Sequence, residues 1–205
     1  ENKPSPQWLK DFVEFYGFNS INFLVDLANL VMIEYGAPLH IFDLDKIKPP
    51  IYVRLSKKGE KFISLENKEY ELSGEEIVIA DKEKILALAG IKGSKLVEVD
   101  LNTKNIFIEA AVFDPVTIYQ TSRKLGIKTE ASLRFERKVN SYLALKALDR
   151  ISYLIQNYAG GEILKGKFAF GNLEKKKEIE IEVNHLNKFL GTNLKTYQIK
   201  NLLKK

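Results

Sequence analysis

Cysteine is absent from the 205 residues, which removes disulfides, thiolate metal sites and cysteine nucleophiles together. Histidine occurs only twice, at His40 and His185, so a histidine-rich metal site is not expected. No apolar run approaches the ~18 residues that a membrane span needs, and Glu1-Asn2-Lys3-Pro4 lacks the apolar core of a secretory leader. No Gly-x-Ser-x-Gly surrounds Thr121, Ser122 or Ser132, so a serine hydrolase is unsupported. What is present is an ordinary globular balance, 45% hydrophobic and 29% charged, which excludes a disordered chain. Thirty-two basic against 27 acidic residues leave +5, a surplus that suits an anionic partner without requiring one. The expectation is a reduced, cytosolic, globular protein forming one large domain or two small ones.

Ser5-Pro6 predicts the start of a first helix, Ser5 capping and Pro6 in first position, with Trp8, Leu9, Phe12, Val13 and Tyr16 inward. A second helix is expected from about Ile21 to Gly36, with Phe23, Leu24, Leu27, Leu30 and Val31 inward. Gly36-Ala37-Pro38 then breaks the chain, and Leu39 to Asp43 reads as a short irregular or extended piece. From Ile51 the period turns strand-like: Ile51, Val53 and Leu55 alternate with Tyr52 and Arg54. Phe62–Leu65 and Lys68–Leu72 suggest a strand pair, and Ile77–Ala80 with Ile85–Ala89 a hairpin. Asn105 to Val112 is nearly all apolar and reads as a central strand, with Glu109 its only charge.

Asp114-Pro115 opens another expected helix that ends before Gly126, and a charged element follows from Thr129 to about Val139. Ser141 is expected to cap a helix carrying Leu145, Leu148, Ile151, Leu154, Ile155 and Tyr158 inward. Gly166 to Phe170 reads as a closing strand. Beyond Lys175-Lys176-Lys177, Ile179 to Val183 alternates like a strand, Asn184 caps a short helix ended by Gly191, and Thr196 begins another. The pieces after 173 are too few to bury a core and read as the first part of a further module.

Gly90-Ile91-Lys92-Gly93-Ser94-Lys95 imitates a phosphate loop, but the glycines are two residues too close and Ser precedes Lys. It follows a strand, unlike the interhelical loop of a KH domain. Asp43-Leu44-Asp45 lacks the Gly and Glu of a calcium loop and reads as a solvated turn. Arg123, Lys124, Lys128, Arg134, Arg137 and Lys138 stand among Glu130 and Glu136, either as a salt-laced helical face or as a phosphate contact. Glu109 needs a partner if buried: an Arg of that cluster, or a pocket in which it serves as acceptor. His40 alone reads as a structural histidine.

Several stretches together are more specific. In order they are Pro4-Ser5-Pro6-x-Trp8-Leu9, Val25-Asp26-Leu27-Ala28-Asn29, Gly36-Ala37-Pro38-Leu39-His40-Ile41-Phe42-Asp43 and Leu88-Ala89-Gly90-Ile91-x-Gly93. Glu109-Ala110-Ala111-x-Phe113-Asp114-Pro115 and Thr129-Glu130-Ala131-Ser132-x-Arg134-Phe135-Glu136-Arg137 complete the series. The chain thereby resembles the β-subunit family of bacterial-type phenylalanyl-tRNA synthetase, in its tRNA-editing module. The resemblance implies an α+β fold of layered mixed β-sheets with packed helices, an editing module over 1-172, and the beginning of the next module over 173-205.

It further implies hydrolysis of tyrosine wrongly esterified to the phenylalanine tRNA, without a cofactor or metal. The complete enzyme uses ATP and magnesium on its α subunit, as a heterotetramer of two α and two β subunits. By resemblance Glu109 accepts the tyrosine hydroxyl, and the backbone of Gly90 lies beside that hydroxyl. His40 and Asn29 hold the ester end and the attacking water, with the terminal ribose hydroxyl of the tRNA as an alternative aid to catalysis. Thr129 and Ala131 form the far wall. Ala28 stands where the family commonly has Thr, Lys92 and Ser94 where it has an apolar residue and Gly, and Lys138 where Gly is frequent. Ala28 best supports a second reading, a tRNA-binding or structural piece with a weakened editing centre; a third is a free-standing editing protein, against which the incomplete tail argues.

Overall fold

Helix α1 (Gln7–Phe15) starts directly after Pro6, without a side-chain cap. Ser5 does not cap it as expected. Its hydroxyl donates instead to the fully buried Asp26 (2.5 Å), where Ser20 Oγ (2.6 Å) and the Ile21 N–H (3.0 Å) also converge. A carboxylate in the core must be hydrogen-bonded, and that demand outweighs the cap. Only Leu9 and Val13 are buried on α1; Trp8 and Tyr16 stay about half exposed, so the inward stripe is narrower than the spacing predicts. Helix α2 (Phe23–Tyr35) is capped by Asn22, which accepts from the Val25 N–H, and closes at Gly36. Phe23, Leu24, Leu27, Leu30 and Val31 are buried as the periodicity requires.

The computed structural model describes residues 2–166, 168–171 and 178–204. The chain divides into two units, Glu1–Leu173 and Glu174–Lys205. In the first, strand β1 (Leu39–Asp43) pairs with β8 (Ile106–Ala110) as a two-stranded ribbon. Strands β2 (Tyr52–Leu55), β5 (Ile77–Ala80), β6 (Ile85–Leu88) and β7 (Lys92–Gly93) form a sheet in the order β2-β5-β6-β7, and β3 (Lys61–Ile63) with β4 (Glu69–Glu71) makes a hairpin. Among the described residues every strand pairing is antiparallel, so the mixture lies in the α+β architecture rather than within a sheet. β8 is not central. It has one strand neighbour and is only partly buried, its apolar run being covered by helix α5 (Ser141–Leu154) rather than by flanking strands. β2 is an edge strand on which Val53 (63% exposed) and Leu55 (58%) face outward, so the alternation there marks a strand without marking a core face.

Helix α3 (Pro115–Leu125) is capped by Asp114 onto the Thr117 N–H at 2.8 Å and ends at Gly126. Helix α4 (Glu130–Phe135) is capped by Thr129 in a reciprocal pair with Ser132. Asn140, not Ser141, caps α5, accepting from the Tyr142 N–H at 2.8 Å. The helix buries Ala144, Ala147, Ile151 and Leu154, with Ile155 just beyond; Leu145 and Leu148 are half-buried and Tyr158 is exposed. Alanines on the buried stripe permit the close approach of α5 to α2. Lys138 adopts φ +69°, in the left-handed region that glycine enters without steric cost.

The closing strand expected at 166–170 does not form among the described residues: Phe168 and Phe170 are fully exposed, and Lys167 lies outside them. In the second unit the alternating stretch 179–183 is likewise no strand. Without a partner edge it stays exposed, and Val183 already opens helix α6 (Val183–Leu190). Asn184 therefore sits inside the first turn and caps nothing. Asn187 ties the turn to α7 (Thr196–Leu202), accepting from the Leu194 N–H and Thr192 Oγ1 and donating to Leu194 O. Lys175, Lys176 and Lys177 lie outside the described residues.

Buried carboxylates hold the loops. Asp43 is not in a solvated turn: it accepts from Thr103 Oγ1 (2.8 Å) and the Asp45 N–H (3.1 Å), with Lys46 at 3.0 Å. Glu76, 1% exposed, accepts from Ser56 Oγ (2.7 Å), Ser73 Oγ (2.8 Å) and the N–H groups of Ser73 (2.9 Å), Gly74 (3.2 Å) and Glu75 (3.3 Å). Burial alone raises its pKa, but these donors outweigh burial and hold it at about 2. Because this value is depressed below that of the unfolded chain, the stabilisation is present above pH 4.5 and is lost as pH falls towards 2. Glu76→Ala is expected to lower stability by about 2–4 kcal/mol at neutral pH. Chemical denaturation at pH 6 and pH 3 should show the gap between wild type and variant narrowing at the lower pH.

Candidate functional site

A cleft opens where the start of β1, the β6–β7 turn, β8 and α4 meet, with His40, Gly90, Lys92, Gly93, Glu109 and Ala131 in its lining. Strand pairing supplies the first half of the geometry. His40 and Glu109 are directly opposite in the β1–β8 register, and side chains at opposite positions project to the same face. The β6–β7 hairpin supplies the second half by laying Gly93 against the imidazole. A Cβ on Gly93 would stand 2.4 Å from His40 Cε1 and 2.6 Å from Nε2. The ring occupies the space that a side chain at 93 would take. It also meets Phe42 edge-on, with ring centroids 4.4 Å apart.

Both polar members of the pair are desolvated. Burial lowers the His40 pKa to about 4 and raises that of Glu109 to about 7. Neither has a side-chain hydrogen bond to another described residue, yet no buried side-chain nitrogen or oxygen lacks a partner among the described residues. Their polar atoms therefore open into the cleft. The alternative of an Arg partner for Glu109 falls away among the described residues, leaving the acceptor in a pocket. At neutral pH the imidazole is uncharged and the carboxyl stands near its midpoint.

Gly90 lies in the β6–β7 turn at φ +68°, and a Cβ there would reach the Phe113 and Phe135 rings at 2.9 Å and Ile118 at 3.1 Å. Those rings pack edge-on at 5.2 Å, so Gly90 also has a packing reason to be bare. Thr129 is not in the lining. Its hydroxyl donates to the carbonyl of cleft-lining Ile91 at 2.9 Å and so joins α4 to the hairpin. Ala28 and Asn29, on α2, are half-buried and also outside the lining. Lys92, Gly93 and Phe135 are lining residues that sequence reasoning did not assign to the site. Lys92 pairs with Glu66 on the β3–β4 turn. Among the described residues no three His, Asp or Glu side chains gather as a metal-holding group, and no helix is long and apolar enough to cross a membrane.

The chain belongs to the B3/4 domain family, which matches residues 1–160. It is similar along nearly its whole length to proteins named as the beta subunit of phenylalanine–tRNA ligase. That of Carboxydothermus hydrogenoformans is 42% identical over 205 residues, covering 98% of this chain and 25% of the relative. That of Aquifex aeolicus is 40% identical over 203 residues, covering 99% and 26%. The chain thus spans about a quarter of the length of these curated relatives. Among solved structures, an N-terminal fragment of the phenylalanyl-tRNA synthetase beta subunit from Pyrococcus horikoshii aligns at 22% identity with a TM-score of 0.41, covering 88% of this chain and 54% of that one.

Gly93→Ala is expected to expel the His40 ring from its slot, because a methyl group cannot approach that closely. The released imidazole should regain water, and its pKa should climb from about 4 towards 6.5. NMR titration of the imidazole C–H signals in wild type and variant checks this directly.

Proposed function

We propose that the cleft hydrolyses the ester of tyrosine misattached to the phenylalanine tRNA, within a phenylalanine–tRNA ligase. The observation that carries the reading is Glu109: a desolvated carboxyl with no protein partner among the described residues, opening into a cleft across from an uncharged imidazole. Phenylalanine and tyrosine differ by one hydroxyl, and a site with a waiting acceptor discriminates strongly in favour of the molecule that carries the donor. The ring lies between the β6–β7 turn and Ala131, whose small side chain leaves room, and Thr129 holds α4 in place through Ile91.

Water adds to the ester carbonyl, the ester C–O bond breaks, and tyrosine leaves the freed ribose hydroxyl. A pKa of about 4 makes His40 a weak proton acceptor. Its part is to orient water or the ester as a neutral hydrogen-bonding group, with the neighbouring ribose hydroxyl of the tRNA as the second aid. Asn29, off the cleft lining, acts from α2 on the ester end or not at all. ATP and magnesium serve the charging reaction of the complete ligase, with its α subunit. The cleft, with one carboxyl and no clustered carboxylates among the described residues, does not fit a magnesium site.

Deacylation of tyrosyl and phenylalanyl esters of the phenylalanine tRNA tests the proposal. Wild type should release tyrosine selectively, and Glu109→Ala should reduce the preference by about ten- to a hundredfold, the worth of a hydrogen bond to a charged acceptor. Survival of both the rate and the preference in the variant removes Glu109 from its role. The preference in wild type should also rise with pH through about 7, as the carboxyl ionises into the stronger acceptor.

A further inference from the structure

A second depression lies where α3 ends and α4 begins. Ser122, Arg123 and Gly126 line it from α3 and its C-terminal turn, and Lys128 and Glu136 from the two ends of α4. Its basic residues differ from their neighbours. Lys124 pairs with Glu75 at 3.0 Å and Arg134 with Glu130 at 2.5 Å, so those two belong to a salt-laced face. Lys128 has no ion pair among the described residues. Arg123 has none either, its guanidinium lying over the half-exposed Tyr119 ring 5.2 Å from the centroid. The floor is anchored by Ser122 Oγ, which donates to Ile127 O at 2.5 Å. Space above Gly126 is open, with nothing within 4 Å of a Cβ built there.

The notch and the cleft share α4. Ala131 and Phe135 line the cleft, while the residues bracketing the helix line the notch. Lys128 directly precedes Thr129, the residue bonded to the cleft wall at Ile91 O. We infer that the notch seats the sugar-phosphate chain of a single-stranded RNA end whose terminal ester enters the cleft, an inference that rests on the reading of the cleft as an editing site. Arg123 and Lys128 supply charge-assisted donors for phosphate. Glu136 opposes a bare anion but accepts from a ribose hydroxyl, so the trio matches a sugar-phosphate better than an isolated ion. Tyr119, half-exposed beside the Arg123 guanidinium, presents a ring face for a base.

The test is binding of the full chain to a non-aminoacylated hairpin RNA ending in four unpaired nucleotides, followed by fluorescence anisotropy across a salt series. Neutralising two phosphate contacts in Arg123→Gln/Lys128→Gln should weaken binding at least about tenfold and flatten the slope of log K against log salt by about 1.4, at roughly 0.7 per single-strand phosphate. Tyr119→Ala should weaken binding about five- to tenfold and leave the slope alone. Lys82→Gln/Lys104→Gln, which changes two exposed lysines outside the notch, is the charge-matched control. A double variant that binds like this control, or a wild type that binds no RNA, overturns the notch. The tyrosine ester of adenosine, which has no phosphate, reads the cleft separately. Its hydrolysis together with notch-independent RNA binding removes the notch and keeps the editing site. Notch-dependent RNA binding without hydrolysis of this ester removes the editing reading and keeps an RNA site at the notch.

Discussion

The register of two short strands governs this molecule's chemistry. Leu39 faces Ala110 and Ile41 faces Ile108, so His40 and Glu109 must face each other between them. A slip of one residue would leave the two side chains on opposite faces of the ribbon. A two-stranded ribbon is marginal alone, and this one is held by α2 and α5 packed against it. The hydrophobic core therefore acts on the cleft through the ribbon: helix packing fixes β1 and β8, and these present the imidazole and the carboxyl.

Electrostatics separates this pair from the other buried acids. Asp26, Asp43, Asp81 and Glu76 each collect hydroxyl or backbone donors, and their burial is answered within the fold. Asp81 and Glu76 consequently have depressed pKa values despite burial. Glu109 and His40 collect nothing, and desolvation acts on them unopposed in opposite directions. Between about 4 and about 7 the pair is chiefly uncharged, the state that a poorly hydrated cleft tolerates best. A polar pair left unanswered by its own chain is suited to being answered by a ligand.

Much of this was legible in the sequence because it was local. The Asp114-Pro115 cap, the hairpin around Asp81 to Lys84 and the stripe of α2 depend on neighbours in the chain, and they formed as read. Glu109 was visible as the lone charge of an apolar strand. What escaped depends on distant contacts. Ser5 leaves its helix for Asp26, and β8 satisfies its apolar run with a helix instead of strands. The alternation at 179–183 meets no partner edge. Thr129 and Asn29 belong to the resembling motif, but a motif does not reveal that one acts through a backbone carbonyl and the other lies off the cleft lining. Gly93 was one glycine of a false phosphate loop until the His40 ring lay against it.

That last contact couples two positions on different strands by size. With the imidazole in place, residue 93 has no room even for a methyl group; with a smaller side chain at 40, the restriction disappears. Substitutions at the two sites are therefore not independent, and each alters what the other tolerates. Inheritance would register the slot as epistasis: glycine persists at 93 for as long as histidine persists at 40, and a lineage that gives up the imidazole gains freedom at a residue more than fifty positions along the chain.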